Sequence, residues 1–186
     1  MFERIVYLVR HGQCEPQDTT REYVDFPLTP VGREQAVATA ERLRDLNARA
    51  IYCSTLRRAR ETAEIVATRC QAPPLRASML LRELPDFRPR ADETARERIE
   101  LEKRREARAF AYYVRPADSS MMVDIVVTHG NLVRYFVCRI LGMPPESMPT
   151  FGTSHCGITQ LHVSGDGRMR LISYNDTGHL PERLRT

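Results

Sequence analysis

Three short apolar runs constrain the fold more than anything else in the chain: Ile5–Val9, Ala50–Cys53 and Val123–Thr128. Each is mostly apolar at consecutive positions and too short for a buried helix, so each reads as a strand covered on both faces. Each is followed by helical spacing. Beyond the first run, a polar loop to Pro27 leads into Thr29-Pro30, an N-cap with proline at the first helical position, and Ala36, Val37, Ala40, Leu43 and Leu46 recur at helical intervals. This predicts a helix over about Pro30–Leu46. Beyond the second run come Leu56, Ala59, Ala63, Ile65 and Val66, closed by Pro73-Pro74; beyond the third, Leu132–Leu141, stopped by Gly142 and Pro144. Strands alternating with helices imply a mainly parallel central sheet flanked by helices, a three-layer α/β sandwich.

The remaining segments add detail. An extended stretch over Leu75–Leu81 leads into Arg82-Glu83-Leu84-Pro85, and a long charged helix is expected over Asp92–Val114. Its polar majority predicts an excursion outside the core at about residues 90–115, whose alternating charges read first as a solvated face and second as a lid or docking surface over the crevice. Two late strands, Gly157–Val163 and Met169–Tyr174, are joined by Gly165-Asp166-Gly167 and read as an antiparallel hairpin. With no internal repeat and no linker, one domain is expected over residues 1–186.

Composition excludes several classes. With 42% hydrophobic residues in 186, the chain can bury a substantial core without metal or disulfide, and it is not a disordered sequence. No apolar run approaches the roughly 20 residues a membrane span requires, and Met1-Phe2-Glu3-Arg4 passes at once into the first strand. A soluble chain without a leader is the expectation, with no membrane partner. The charge is 28 − 24 = +4, and the basic residues of Arg90–Arg108 are interleaved with acids, so no nucleic-acid partner is expected. Five cysteines at irregular spacing, Cys14, Cys53, Cys70, Cys138 and Cys156, fit a reducing, cytoplasmic compartment.

The chemistry sits where the strands stop. The three runs end at Arg10-His11-Gly12, at Ser54 with Arg57 and Arg58 one turn later, and at His129-Gly130-Asn131. In open α/β sheets ligands collect outside the carboxyl ends of the strands, so the clusters are expected to share one crevice. Guanidinium forks bind phosphate oxygens in pairs, and the following helix N-termini add N–H donors. A neutral imidazole there is a nucleophile toward phosphorus, and neighbouring arginines both stabilise the transferring group and lower the imidazole pKa. Phosphoryl transfer without metal or cofactor follows, with a carboxyl acid such as Glu83 protonating the leaving alcohol. Other patterns carry less. Cys70 to Arg76 has the bare spacing of a cysteine-dependent phosphate loop, but Pro73 and Pro74 have no N–H to give. No glycine-rich nucleotide loop ends in lysine, the only lysine being Lys103. Cys14 reads as an oxidisable thiol beside the pocket.

Leu8-Val9-Arg10-His11-Gly12-Gln13, Cys53 to Ala63 with Arg57-Arg58-Ala59-Arg60-Glu61-Thr62, and Val127-Thr128-His129-Gly130-Asn131 together resemble the histidine phosphatase superfamily, the phosphoglycerate mutase-like family. Leu28 to Ala36 extends the resemblance over most of the chain. It implies that His11 is the phosphorylated nucleophile, that Arg10, Arg58 and His129 form the phosphate pocket, and that Glu83 is the acid; Arg58, directly before Ala59, matches the family arginine and Arg57 does not. The Leu80–Glu83, Asn131–Arg139 and Asp176–Pro181 segments are similar to the mitochondrial protein serine/threonine phosphatase branch. That implies dephosphorylation of phosphoserine, phosphothreonine or phosphohistidine proteins, a mitochondrial association without an anchor in this chain, and a homodimer, since Asp176–Pro181 resembles a segment near the subunit contact in relatives. Pro16-Gln17 stands where mutases and sugar phosphatases often carry Trp-Asn, so a small metabolite is the second expectation. A module that binds phosphorylated partners without turnover is the third.

Overall fold

The computed structural model describes residues 2–15, 25–70, 74–83, 93–117 and 120–186. Among them β1 (Glu3–Arg10), β2 (Ala50–Ser54), β3 (Leu75–Ser78), β4 (Met122–Thr128), β5 (Ile158–Ser164) and β6 (Met169–Asp176) form one sheet in the order β3-β2-β4-β1-β5-β6. Strands β1 to β4 pair in parallel, and β5 is antiparallel to both of its neighbours, β1 and β6. The expected late antiparallel pair is thus an edge of the same sheet.

Side-chain parity sorts the helices into two outer layers. Val6 and Leu8 of β1 and Val126 of β4 point to one face, where they pack on Ala109, Phe110 and Tyr113 of α3 (Glu93–Tyr113) and Leu132 and Phe136 of α4 (Gly130–Leu141). Val9, Ile51, Cys53, Ile125 and Val127 point to the other, against Ala40 and Leu43 of α1 (Pro30–Leu43) and Ala59, Ala63 and Val66 of α2 (Arg57–Ala67). Because consecutive strand residues face opposite layers and both are dry, the strands had to be apolar throughout rather than alternating.

The helix ends follow local chemistry. Thr29 Oγ1 accepts the Gly32 N–H at 3.0 Å, the expected N-cap of α1. That helix stops at Leu43, short of the predicted Leu46, because the Leu46 N–H turns back onto the Leu43 carbonyl at 3.1 Å. Leu46 still packs against the core from the turn, so its apolar spacing was informative although its backbone is not helical. Helix α4 ends on Gly142 with φ +66°, a left-handed cap that favours glycine.

The charged helix departs from the core for only part of its length. Leu101 in its middle is exposed, whereas Ala109, Phe110, Tyr113 and Val114 at its end are buried, and Phe110 meets Phe136 edge-on at 5.4 Å between ring centroids. Three apolar positions in the last two turns and one just beyond suffice to dock a helix whose sequence is otherwise mostly polar. The expected start of this excursion, residues 90–92, lies outside the described residues. At the other end of the chain Leu180 and Leu184 bury with Leu28, Ala36 and Cys156, and His179 Nε2 lies 3.0 Å from Thr39 Oγ1. The Asp176–Pro181 segment therefore folds back on α1.

Candidate active site

β1 and β4 are parallel neighbours with Arg10 opposite Thr128, so the residues after them leave the sheet side by side. The His11 N–H bonds the Thr128 carbonyl at 2.9 Å, and the His11 and His129 rings stand 5.0 Å apart. Helix α2 begins three residues beyond the end of β2 and delivers Arg58, whose Nε donates to His11 Nε2 at 3.1 Å. On the other side of that ring, Nδ1 lies 2.8 Å from the Gly12 carbonyl. A carbonyl only accepts, so Nδ1 carries the proton and Nε2 presents its lone pair to the Arg58 side.

The turn after His11 is held against the start of α1. The Gly12 N–H donates to Thr62 Oγ1 at 3.0 Å, and the Thr62 hydroxyl donates to the Arg58 carbonyl at 2.7 Å. A Cβ on Gly12 would lie 2.5 Å from the Gly32 carbonyl oxygen, and one on Gly32 would lie 2.0 Å from that of Gln13. Only two glycines let these backbones approach so closely.

Arg10 is fixed from behind. Its Nη1 donates to the Thr153 carbonyl and its Nη2 lies 3.1 Å from His155 Nε2, leaving a buried Nε without a partner. His155 Nδ1 in turn lies 2.9 Å from Thr186 Oγ1. Glu83 follows the 3-10 turn Met79–Leu81; its Oε2 is 4.0 Å from His129 Nδ1, and its Oε1 accepts the Asn131 N–H at 3.3 Å. Both ring nitrogens of His129 are buried without a hydrogen-bond partner.

These placements set the electrostatics. Burial, then the Arg58 charge, holds the His11 pKa well below its ordinary value, so the imidazole is neutral near pH 7. Burial, then His11 and Arg58, does the same for His129. His155 is lowered to about 4 by burial and by Arg10. Three neutral imidazoles thus sit beside the guanidinium groups of Arg10 and Arg58, with polar atoms left over that the oxygens of a phosphoryl group would satisfy.

All five residues singled out from the sequence, Arg10, His11, Arg58, Glu83 and His129, meet here. Arg57 does not, being half-exposed and paired with Glu61 at 2.7 Å. Thr153 and His155 were missed, although a signal existed. Since β5 runs antiparallel to β1, pairing Val9 with Ile158, the residues before β5 emerge at the same edge as those after β1. Asn131 and Thr62 lay within the quoted motifs without a role. Cys14 faces the pocket region from a bridge with Leu28, and burial pushes its thiol above the ordinary range, which disfavours the reactive thiolate. Cys70 is buried, its thiol on the Leu43 carbonyl, and residues 71–73, the first of the two prolines among them, lie outside the described residues. Among the described residues no group of three His, Cys, Asp or Glu side chains is arranged to hold a metal ion.

The fold and this edge of the sheet define a class, and comparison with known proteins agrees. The family profile of the histidine phosphatase superfamily (branch 1) matches residues 6–122 and 103–177, and the chain belongs to that superfamily. Among its relatives is the mitochondrial serine/threonine-protein phosphatase Pgam5 of Caenorhabditis briggsae, 32% identical over 187 residues, covering 95% of this chain and 64% of the relative. The chain thus spans less than two thirds of that relative's length. Among solved structures, Bacillus stearothermophilus YhfR superposes with TM-score 0.75 at 25% identity, covering 96% of this chain and 100% of that one. The mycobacterial glucosyl-3-phosphoglycerate phosphatase gives 0.69 at 25% identity, covering 94% and 100%. No helix among the described residues is long and apolar enough to cross a membrane.

Proposed function

We propose that the chain is a phosphatase acting through a phosphohistidine at His11, and that its substrates are phosphoserine or phosphothreonine proteins, with phosphohistidine proteins in the same class. One observation carries the mechanism: a buried, neutral His11 with its Nε2 lone pair directed toward Arg58, beside three buried polar atoms, Arg10 Nε and both His129 ring nitrogens, that have no partner. In the first step Nε2 attacks phosphorus, the bond to the ester oxygen breaks, and that oxygen takes its electron pair and a proton from the Glu83 carboxyl. Arg58 Nε, which meets the lone pair in the free protein, transfers its hydrogen bond to a phosphoryl oxygen, joined by Arg10 and His129. In the second step water attacks phosphorus, the P–N bond breaks with its electrons returning to Nε2, and Glu83 takes the proton that water loses. No step calls for a cofactor.

The phosphoprotein substrate is supported by the name of the Caenorhabditis relative. The neighbour named for glucosyl-3-phosphoglycerate favours a second reading, a small phosphorylated metabolite. The substrate is the only partner this reading requires; a homodimer remains part of it, to be checked by sedimentation. A cytoplasmic location rests on the cysteine usage and competes with the mitochondrial placement of the relative. The test is turnover of p-nitrophenyl phosphate, a phosphothreonine peptide and 3-phosphoglycerate by wild type and His11→Ala in excess EDTA, with enzyme quenched in alkaline detergent examined for a base-stable, acid-labile phosphoryl group. His11-dependent turnover with preference for the peptide is expected. Preference for the glycerate moves the substrate to metabolism; phosphate binding with no turnover and no labelled enzyme overturns catalysis in favour of a binding module.

A further inference from the structure

The reading above needs the Glu83 carboxyl held beside His129, yet Glu83 lies beyond the end of β3, past the 3-10 turn, where no sheet hydrogen bond orients it. Leu81 is anchored, being fully buried with its carbonyl bonded by the Thr128 hydroxyl at 2.8 Å. Past Leu81, the backbone is gripped from outside the sheet. Arg105, on the helix that the motifs leave least constrained, donates through Nη1 to the Arg82 carbonyl at 2.8 Å and the Met79 carbonyl at 3.3 Å, and through Nη2 to the Glu83 carbonyl at 3.1 Å. Its Nε donates to Glu102 Oε2 at 2.7 Å, which orients the fork from behind. The side chain is 17% exposed, so these contacts are only weakly contested by water.

This arrangement is economical in geometry. One turn further along α3, Ala109 and Phe110 enter the core, so Arg105 stands where the helix leaves its anchorage and reaches the loop. A planar guanidinium is the side chain able to bond three carbonyls of one turn at fixed angles. All of its donors are spent on backbone and on Glu102, so it has none directed at a phosphoryl group.

We propose that Arg105 is the positioning residue for the general acid: by fixing the carbonyls of Met79, Arg82 and Glu83 it sets the root from which the Glu83 carboxyl reaches the leaving-group oxygen. The proposal rests on Glu83 being that acid, and it assigns to the charged helix α3 a task in the reaction. Its signature is dependence on the leaving group. An alkoxide needs a proton to depart, whereas p-nitrophenolate departs without one, so misplacing the acid slows the first and spares the second in the phosphorylation step, which is read in the first turnover because Glu83 also assists the water step common to both substrates.

The experiment compares wild type, Glu83→Gln, Arg105→Met, Arg105→Lys and Glu102→Gln on a phosphothreonine peptide and on p-nitrophenyl phosphate, with vanadate inhibition as a measure of the phosphate pocket. For Arg105→Met, the rate of the phosphorylation step in the first turnover is expected to fall about 10- to 100-fold on the peptide and about twofold or less on p-nitrophenyl phosphate, vanadate affinity being retained. Arg105→Lys, which keeps the charge but not the fork, should recover part of the peptide activity. Glu102→Gln, a milder change that leaves Arg105 in place, should show a smaller split in the same direction and carries the test if Arg105→Met does not fold. If Glu83→Gln shows the split but the Arg105 and Glu102 variants slow the phosphorylation step equally on both substrates, Arg105 is merely structural and the proposal fails alone. If Glu83→Gln shows no split, the acid assignment fails and takes the proposal with it.

Discussion

A non-titrating residue at position 155 should make the protein less sensitive to acid by an amount that follows from the site. His155 is neutral in the folded protein down to about pH 4, because burial and the adjacent Arg10 disfavour its charged form. In the unfolded chain it takes its proton near pH 6.5. The unfolded state therefore binds more protons between these values, and stability is full above about pH 6.5 and falls as the pH drops toward 4. The complete shift corresponds to about 3 kcal/mol, of which about 2 kcal/mol is lost between pH 7.5 and pH 5. His155→Asn retains an oxygen able to accept from Arg10 but does not titrate. Urea unfolding of both proteins at the two pH values isolates the contribution, since every other titrating group is common to them. Wild type should lose about 2 kcal/mol more than the variant on acidification. Equal losses in the two proteins would refute the argument that the cationic pocket keeps this imidazole neutral.

Two further substitutions test the frame around the site. Asp124→Asn removes the counter-charge of Arg4, which is 1% exposed and 2.5 Å from that carboxylate; chemical denaturation should show a loss of about 3–5 kcal/mol. The pair lies at the opposite end of β1 and β4 from His11, so vanadate affinity of the folded fraction should be unchanged. Gly32→Ala places a Cβ 2.0 Å from the Gln13 carbonyl oxygen and must push the His11–Gln13 turn outward, so kcat on p-nitrophenyl phosphate should fall by about 10- to 100-fold even where circular dichroism still reports a folded protein.

The strand-ending motifs were legible because two facts about chains are nearly independent of tertiary detail. Dry strands must be apolar on consecutive residues, which exposed β1, β2 and β4 in the sequence, and parallel neighbours end at the same edge, which brought Arg10, His11, Arg58 and His129 together. The same logic extended to the hairpin would have found His155, since a strand antiparallel to its neighbour begins at the edge where that neighbour ends. The charged helix was harder. Its composition is that of a solvated rod, and the four residues that dock it, Ala109, Phe110, Tyr113 and Val114, are a minority in the count of 21 residues with one neighbour beyond.

What the amino-acid sequence determined by itself was periodicity and local chemistry: the α/β alternation, the N-cap at Thr29, the glycine after α4, and the residue types that suit a phosphoryl group. These depend on neighbours a few positions apart, whose geometry the backbone fixes. Which nitrogen of His11 holds the lone pair, which acceptors restrain Arg10, and which arginine grips the Glu83 loop were decided only in the tertiary structure. Those contacts join residues 47 positions apart in the case of Arg58 and His11, 145 for Arg10 and His155, and 22 for Arg105 and Glu83. A sequence states the donors and acceptors, but the packing of the layers decides which are buried together, and a buried polar group takes whatever partner that packing leaves within reach.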